Sequence, residues 1–158
     1  DATSLSVWEL TYLLSKVTVE KIMTKQVISV TKETPLEEAA RIMADSKIGG
    51  LPVTADGQVV GIITETDRFK VFLELLGARN AGVRVAALVA NQPGELAKLT
   101  KAVYEAGGNI HALGTFQGES TQNAEVVMKV SGIKLDGLKQ AVEPVVERLL
   151  DIRETKAT

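Results

Sequence analysis

The residues of this chain best suited to binding chemistry are a threonine and an aspartate where a predicted strand meets a predicted helix. Apolar runs at 51–53 and 59–63 precede Thr64, and apolar residues at helical spacing follow Asp67. The first N–H groups of a helix lack intrahelical partners and lie at the positive end of its dipole, so this junction suits a bound phosphate. Thr64 and Asp67 could add hydrogen bonds to a sugar diol. The simpler interpretation is that Thr64 or Thr66 caps the helix, with Asp67 favourable in its first turn.

The residues before this junction predict the other elements of a small mixed unit. Residues 27–30 are typical of a strand, and a turn at 55–58 joins the two apolar runs. Thr34 is expected to cap a helix, with Pro35 in its first helical position and Glu37 closing a capping box. The apolar face of that helix is predicted to consist of Leu36, Ala39, Ala40 and Met43.

This order of elements resembles the CBS motif, which is named from cystathionine β-synthase. The matching run is VEKIMTKQVISVTKETPLEEAARIMADSKIGGLPVTADGQVVGIITETDR, residues 19–68, and it covers the whole motif at the expected spacing. CBS motifs work as pairs that bind adenine nucleotides or related adenosyl ligands in a cleft between them. The resemblance therefore implies AMP, ATP or S-adenosylmethionine as candidate ligands and no required cofactor.

The resemblance also assigns roles to nine residues. A hydroxyl and a carboxylate would contact the ribose, two cations would contact the phosphates, and three aliphatic side chains would surround the base. Two glycines would let the base approach the backbone closely. In that order they are Thr64 and Asp67; Lys47 and Arg68; Ile28, Ile48 and Ile62; Gly49 and Gly50. The simpler interpretation makes the isoleucines ordinary core and the two cations solvated surface.

The chain departs from the CBS family because only one motif is found where two are usual. Residues 1–17 predict an amphipathic helix in which Ser6 and Glu9 have capping-box spacing, and they resemble the connector that follows a first CBS motif. We therefore expect the chain to be part of a longer protein. A single motif would also leave bare the face that its tandem partner covers, which predicts a homodimer or larger assembly.

The second half of the chain predicts a separate βαββαβ unit of the ferredoxin-like kind. Its first part comprises a strand at 83–90, a turn at 91–95 and a helix that is stopped by Gly107 and Gly108. Strands at 109–116 and 124–130 follow, then a second helix and a closing strand over 150–154. One face of the second helix is predicted to carry Leu135, Leu138, Val142, Val145 and Leu149. The fold class expected for the whole chain is therefore α+β.

The run NQPGELAKLTKAVYEAGGNI, residues 91–110, resembles the start of an ACT domain, a small regulatory module fused to many enzymes of amino-acid metabolism. The resemblance implies an amino-acid site at a subunit interface, with a ligand carboxylate held by the helix N–H groups near Gly94. One side would comprise Asn91, Gln92, Gly94, Glu95 and Leu96, and Asn109 and Ile110 would face them. The simpler interpretation is turn chemistry at the first segment and a helix C-terminus before Asn109.

The predicted organisation is a connector helix at 1–17, a CBS domain at 18–79, a linker at 80–82 and an ACT domain at 83–154. This order resembles the bacterial acetoin-utilisation AcuB-type proteins. It implies a non-enzymatic regulatory protein that senses an adenosyl nucleotide and, as a further expectation, an amino acid. The alternatives are a structural or oligomerisation module and the detached regulatory part of a larger enzyme.

The amino-acid composition argues against several classes of partner and of active site. The 158 residues carry a formal net charge of −2 with no basic run, which argues against nucleic-acid and membrane-surface partners. The absence of cysteine excludes thiol chemistry and fits a cytoplasmic location. The single histidine, His111, has no second histidine or cysteine to complete a metal cluster of the usual kind. No catalytic or metal site is predicted.

Overall fold

The computed structural model describes residues 6–157, which fall into two compact units divided between Ile63 and Thr64. The first described element is α1 (Val7–Ser15), and α2 (Val19–Ile22) follows it. The capping box predicted at the start of α1 is confirmed, since Ser6 Oγ accepts from the Glu9 amide and the Glu9 carboxylate accepts from the Ser6 amide. The part of the predicted connector helix at 1–5 lies outside the described residues.

A three-stranded sheet forms the centre of the first unit, in the order β1 (Val30–Thr31), β2 (Gly50–Ala55), β3 (Gln58–Thr64). Strand β1 runs parallel to β2. The two residues between β2 and β3, Asp56 and Gly57, have φ of 50° and 76°. Positive φ at both central residues is the requirement of a type I′ hairpin turn, which explains the Asp-Gly pair.

Helix α3 (Leu36–Asp45) packs on this sheet, but it does not begin as predicted. Pro35 is its N-cap with ψ of 143°, and no side chain caps the helix. The Thr34 hydroxyl accepts from the Thr31 amide instead, at 3.2 Å, so it is not available to a helical N–H group. The predicted capping box of Thr34 and Glu37 is therefore wrong. The core beneath α3 consists of Val30, Ala39, Met43 and Leu51.

The first strand is also shorter than the sequence predicted. Residues 27–29 belong to no strand, and β1 starts at Val30. The reason is its pairing, since only Val30 and Thr31 have partners in β2, opposite Val53 and Thr54. An apolar run marks residues that prefer extended structure, but a neighbouring chain decides how many of them join a ladder.

The second unit contains a four-stranded antiparallel sheet in the order β5-β6-β4-β7. Helix α4 (Glu65–Leu75) precedes this sheet in the chain. The other elements are β4 (Gly82–Ala90), α5 (Glu95–Glu105), β5 (Asn109–Gln117), β6 (Asn123–Ser131), α6 (Leu135–Val142) and β7 (Arg148–Thr155). This βαββαβ arrangement confirms the predicted ferredoxin-like fold.

Helices α5 and α6 cover one face of this sheet and bury its alternate side chains. The buried core takes every second residue of β4 from 83 to 89 and of β6 from 126 to 130, as expected of strands. From the helices it takes residues four apart, Leu99 with Val103 and Leu138 with Val142. The last predicted helix ends early, at Val142, and gives way to a 3₁₀ turn at Glu143–Val145 that contains Pro144. A proline has no N–H group to continue the α-helical ladder. Leu149, predicted on this helix, instead pairs with Ala87 within β7.

The C-terminal end of α4 lies against the opposite face of the same sheet. A Cβ at Gly77 would be 3.0 Å from the Cβ of Ala112 and 3.4 Å from that of Lys129. Gly77 has φ of 59°, so the chain needs glycine here both for its conformation and for the close approach. Helix α4 is thus part of the compact unit that contains the four-stranded sheet.

Candidate ligand sites

The predicted ribose-binding pair forms the cap of helix α4. Thr64 is the N-cap residue, and its Oγ1 accepts from the Asp67 amide at 3.4 Å. In return Asp67 Oδ2 accepts from the Thr64 amide at 3.0 Å and from the Thr64 hydroxyl at 2.7 Å. The capping interpretation is therefore confirmed, and it fixes the orientation of both side chains.

One oxygen of Asp67 remains outside this cap. Its Oδ1 lies 3.8 Å from Lys70 Nζ, and the side chain as a whole is 46% exposed. Hydrogen bonds from the Thr64 hydroxyl and amide, with a smaller contribution from the Lys70 charge, lower the pKa of Asp67. The residue is consequently an oriented carboxylate at a helix start, with one oxygen that takes no part in the cap.

Arg68 follows on the first turn of α4 and is only partly satisfied. Its Nη2 lies 3.4 Å from Glu65 Oε1, while its Nε is buried with no hydrogen-bond partner among the described residues. Arg68, Glu65, Phe69 and Phe72 line a cavity of about 500 Å³ along the helix. The predicted phosphate contact is therefore a guanidinium with unused donor capacity beside a cavity.

Lys47, the second predicted phosphate contact, has an unusual backbone conformation in the first unit. Its φ is 53°, which is uncommon for a residue with a side chain. The Lys47 amide donates to the Ala44 carbonyl and the Ile48 amide to the Met43 carbonyl, the two bonds of a Schellman motif. Lys47 thus stands where most such motifs have glycine.

The remaining residues of the predicted base-binding wall differ in their surroundings. A Cβ at Gly50 would lie 3.4 Å from Ile62 Cδ1, so these two positions are neighbours on β2 and β3. Ile62 is 62% exposed, whereas Ile48 packs against the core below α3. Ile28 lies outside the strands and is also exposed, as is Gly49.

In the second unit, a cavity of about 500 Å³ opens at one end of the four-stranded sheet. It lies where β4 and β5 end and where β6 and α5 begin. Four predicted amino-acid-binding residues line it, namely Asn91, Gln92, Glu95 and Leu96. The complete lining comes from residues 89–92, 95–96, 115–117, 120–121 and 123–124.

Gly94 is the N-cap of α5 but does not line the cavity. Its φ is 94°, and a Cβ built there would meet no atom within 4 Å. Glycine is therefore needed here for its backbone conformation and not for space, because a side chain at this position would point into the open. Helix α5 has no side-chain cap, which leaves the N–H groups of its first turn without a side-chain acceptor.

Glu95 is the buried polar residue of this site, with only 8% of its surface exposed. Its Oε1 accepts from Lys98 Nζ at 2.6 Å and from Gln92 Nε2 at 3.0 Å. These two hydrogen bonds, the one from Lys98 first, lower the pKa of Glu95. Because both bonds reach Oε1, Glu95 Oε2 accepts no hydrogen bond from the described residues.

Asn109 and Ile110 lie at the other end of β5 from the cavity within the same chain. They pair with Ser131 and Val130, at the end of β6, whereas the cavity lies near Gln117. Their predicted role, in which they face the 91–96 segment of another subunit, stays a prediction.

Sequence reasoning missed the part of the cavity contributed by β5 and the following loop. Thr115, Phe116, Ser120, Thr121 and Asn123 all line it. These residues reach α5 only through sheet pairing, which has no short-range sequence signature. The available signal is the polar run at 117–123 between two predicted strands, which by itself indicates only a loop.

The single histidine and the clusters of acidic side chains were the other features that could carry chemistry. His111 Nε2 lies 2.6 Å from Ser131 Oγ on an exposed edge of the sheet. Within residues 6–157, no group of three or more His, Cys, Asp or Glu side chains could hold a metal ion. In the same part of the chain, none of the helices has the length and apolar character required to span a bilayer.

Comparison with family models assigns both halves of the chain. Residues 19–74 match the CBS domain, and residues 81–153 match the TTHA0829-like ACT domain. The chain carries a CBS domain followed by an ACT domain. Both are regulatory modules and not catalytic ones, and α4, with Thr64 and Asp67, lies in the CBS match.

Several curated proteins share short stretches with this CBS–ACT chain. An inosine-5'-monophosphate dehydrogenase of Thermoplasma acidophilum is 44% identical over 48 residues, which is 30% of this chain and 10% of that protein. A homoserine O-acetyltransferase of Methanosalsum zhilinae is 40% identical over 72 residues, or 42% of this chain and 15% of that protein. An uncharacterized protein of Methanocaldococcus jannaschii is 36% identical over 61 residues, which is 39% of this chain and 33% of that protein.

The chain therefore covers no more than a third of the length of these relatives. Among solved structures it is similar to a CBS domain pair crystallised with 5'-methylthioadenosine and S-adenosyl-L-methionine. That similarity has 32% sequence identity and a TM-score of 0.36, and covers 48% of this chain and 60% of the other.

Proposed function

We propose that this protein is a non-enzymatic regulator that binds an adenosyl nucleotide through its CBS domain and an amino acid through its ACT domain. The observation that carries the nucleotide half is the start of α4, inside the CBS match. There an oriented carboxylate keeps one oxygen for a ligand, and the next residue is an arginine with a buried, unpaired Nε among the described residues.

The chemistry of that helix start suits a nucleoside with a phosphate or another charged extension. A ribose diol can donate to Asp67 Oδ1 while Oδ2 stays in the cap. Hydrogen bonds to an ionised acceptor are stronger than neutral ones. Arg68 and Lys47 are the proposed phosphate contacts, and Ile28, Ile48, Gly49, Gly50 and Ile62 remain the proposed surroundings of the base.

Calorimetry with AMP, ATP and S-adenosylmethionine tests this half of the proposal. Adenosine and 2',3'-dideoxyadenosine form a matched pair that differs only in the diol, so the dideoxy compound should bind about 10-fold or more weakly. Asp67→Asn should reduce the preference for the diol. Asp136→Asn is the matched control, because Asp136 lies in the first turn of α6 and belongs to no proposed site. Absence of binding by every adenosyl ligand contradicts the nucleotide function.

The ACT half of the proposal rests on the cavity beside α5. It combines apolar walls from Val89, Leu96 and Phe116 with the polar side chains of Asn91 and Glu95. A thermal-shift screen of the common amino acids tests it, since a ligand at about 100 times its dissociation constant should add ~2.7 kcal/mol to the free energy of unfolding. If none of them shifts the transition, the ACT domain has another role.

A second candidate function, assembly, is favoured by the exposed apolar side chains. Val59, Ile62, Phe69 and Leu75 are all more than 60% exposed. Isolated exposed apolar residues are normal, but sets of them mark interaction surfaces. We propose that they cover one another in a homodimer or larger assembly, or cover a further CBS motif of a longer protein.

Two finer proposals concern biological setting. The order of the two domains supports the resemblance to acetoin-utilisation AcuB-type proteins, with a cytoplasmic location. The small share of each relative that the chain covers is also compatible with the regulatory part of a larger enzyme. Sequencing the coding region on both sides of this segment decides between these settings.

A further inference from the structure

We propose that the cavity beside α5 selects ligands by their free amino group, so that it takes a zwitterionic α-amino acid and rejects the corresponding 2-oxo acid or N-acyl derivative. This inference rests on the amino-acid half of the proposed function and names the group that would confer its specificity. That group is the buried carboxylate of Glu95, which we assign as the acceptor of the ligand ammonium.

The first step is the geometry of the carboxylate. Glu95 lines the cavity and is 8% exposed. Lys98 and Gln92 both donate to Oε1, at 2.6 Å and 3.0 Å, and therefore hold the group in place. No described residue donates to Oε2. Oε2 of this largely buried residue is therefore free to accept from a ligand, and an ammonium group is a strong donor to a carboxylate.

The second step is the charge of the cavity. Of the residues that line it, all within the described part of the chain, only Glu95 carries a formal charge. Lys98 is not among them, and its side chain is 62% exposed. A ligand whose only charge is negative would therefore enter a cavity lined by a carboxylate and by no cationic side chain.

The third step concerns the other end of a zwitterion. The first N–H groups of α5 have no side-chain acceptor, and Glu95 and Leu96, the first two residues of the helix, line the cavity. A carboxylate suits these N–H groups, and the ammonium on the adjacent carbon suits Glu95 Oε2. Phe116 and Ala124 provide an apolar wall for the side chain of the ligand.

The experiment compares matched ligands by calorimetry on the whole chain. The amino acid that gives the largest shift in the thermal screen is compared with its 2-oxo acid and its N-acetyl derivative, which share its side chain and carboxylate. We expect each derivative to bind at least about 10-fold more weakly than the amino acid. Equal binding of the 2-oxo acid overturns the inference and leaves the amino-acid function intact. Absence of binding by every amino acid removes that function and the inference with it.

Two variants separate ammonium recognition from a structural role of Glu95. Glu95→Gln should weaken amino-acid binding by about 10-fold or more and leave 2-oxo-acid binding unchanged or stronger. Glu105→Gln is the matched control, because Glu105 also pairs with a lysine of α5 but lies at its far end, away from the cavity. Both variants should be folded by circular dichroism before they are compared.

Lys98→Gln guards against the possibility that the Glu95 variant fails to fold. Removing this cation leaves the Glu95 carboxylate with more negative potential, so binding of the amino acid should be maintained or strengthened. If Glu95 and Lys98 acted only as a structural pair, Lys98→Gln would weaken binding as Glu95→Gln does. That result overturns the inference.

Discussion

At both candidate sites, a carboxylate near a helix start bonds to the protein through one oxygen. Asp67 uses Oδ2 in the cap of α4, and Glu95 uses Oε1 for Gln92 and Lys98. The second oxygen of each accepts no hydrogen bond from the described residues. This division would let one residue serve stability and the proposed binding, so substitutions at either position should be assessed for both.

The acid sensitivity of the α4 cap is one consequence at this scale. The pKa of Asp67 is lowered in the folded protein, so its stabilising effect is present above the ordinary aspartate pKa of about 4 and is lost as the pH falls through the lower folded value. We expect the melting temperature of Asp67→Asn to lie below that of the unmodified protein near neutrality and to approach it in acid. Thermal melts over a pH series measure this.

A double-mutant cycle supplies the control for this prediction. In a Thr64→Val background the hydroxyl that donates to Asp67 is absent. Asp67→Asn should then have a smaller effect at neutral pH and a weaker dependence on pH. An unchanged pH profile in this background would show that the sensitivity arises elsewhere.

Lys47 combines a strained backbone with a proposed binding role. Its φ of 53° is unfavourable for any residue with a side chain, and glycine removes that strain. We expect Lys47→Gly to raise the free energy of unfolding by about 1 kcal/mol and, if the ammonium contacts phosphate, to weaken ATP binding more than adenosine binding. Urea unfolding and calorimetry measure the two effects. Loss of stability would contradict the assigned strain.

Residue-level prediction from the sequence succeeded where partners are three residues apart. Ser6 with Glu9 forms the box that its spacing indicates, and of the two threonines considered as the cap of α4 it is Thr64, together with Asp67, that forms it. The same rule failed at Thr34, because a local turn bond to Thr31 competes for its hydroxyl. The hydrogen bonds of Glu95 were not predictable, since its burial and the use of Oε1 by Gln92 and Lys98 depend on the folded cavity.

At the scale of elements, helix α4 joins the two domain types within one compact unit. It belongs to the CBS match by sequence, yet Leu76 and Gly77 lie against the ACT sheet, where a Cβ at Gly114 would be 3.4 Å from Leu76 Cδ2. Lys129 holds the segment after Gly77 against the sheet, because its buried ammonium donates to the Asn80 carbonyl and to Thr155 Oγ1. A ligand at the start of α4 would thus act on a helix whose other end contacts the ACT sheet.

The buried ammonium makes this junction sensitive to alkaline pH. Burial, with a smaller contribution from the Arg84 charge, lowers the pKa of Lys129. Between that lowered value and the ordinary lysine pKa of about 10.4, the unfolded chain binds more protons, so stability rises with pH. We expect the unfolding free energy of the unmodified protein to rise relative to Lys129→Met as the pH is raised into this range. Parallel pH profiles from urea unfolding would contradict this.

Helices and strands were predicted best where a regular spacing of apolar residues ends at a residue that breaks the element. Strands β4 and β6 and helix α5 match their predicted ranges to within two residues, because alternating or helical apolar patterns end at turn residues. The final helix was overextended because Val145 and Leu149 continue the helical spacing past Pro144. Backbone chemistry outweighs side-chain pattern at that point.

At the scale of the whole molecule, the exposed apolar side chains predict self-association. Phe69 on α4 is 69% exposed and Tyr104 on α5 is 78% exposed, which makes them a matched pair. We expect Phe69→Lys to weaken dimerisation by at least about 10-fold, because a buried aromatic anchor contributes about 2 kcal/mol or more at an interface. Tyr104→Lys should have little effect. Sedimentation over a concentration series measures both variants.

Two outcomes of that experiment would contradict the assembly proposal. One is a monomer at every concentration for the unmodified chain. The other is equal loss of association in both variants, which would point to a general effect of added charge and not to a surface that includes Phe69.

The placement of α4 also limits how the two domains can be exchanged between proteins. A chimera joined in the linker at 80–82 would give the ACT sheet a foreign helix without Gly77, where any other residue would place its Cβ 3.0 Å from that of Ala112. A graft that starts at Thr64 carries the native helix with the sheet but takes the cap residues away from the CBS strand before them. Each junction loses one set of these contacts, so we expect a chimera joined at either point to be less stable than the unmodified chain.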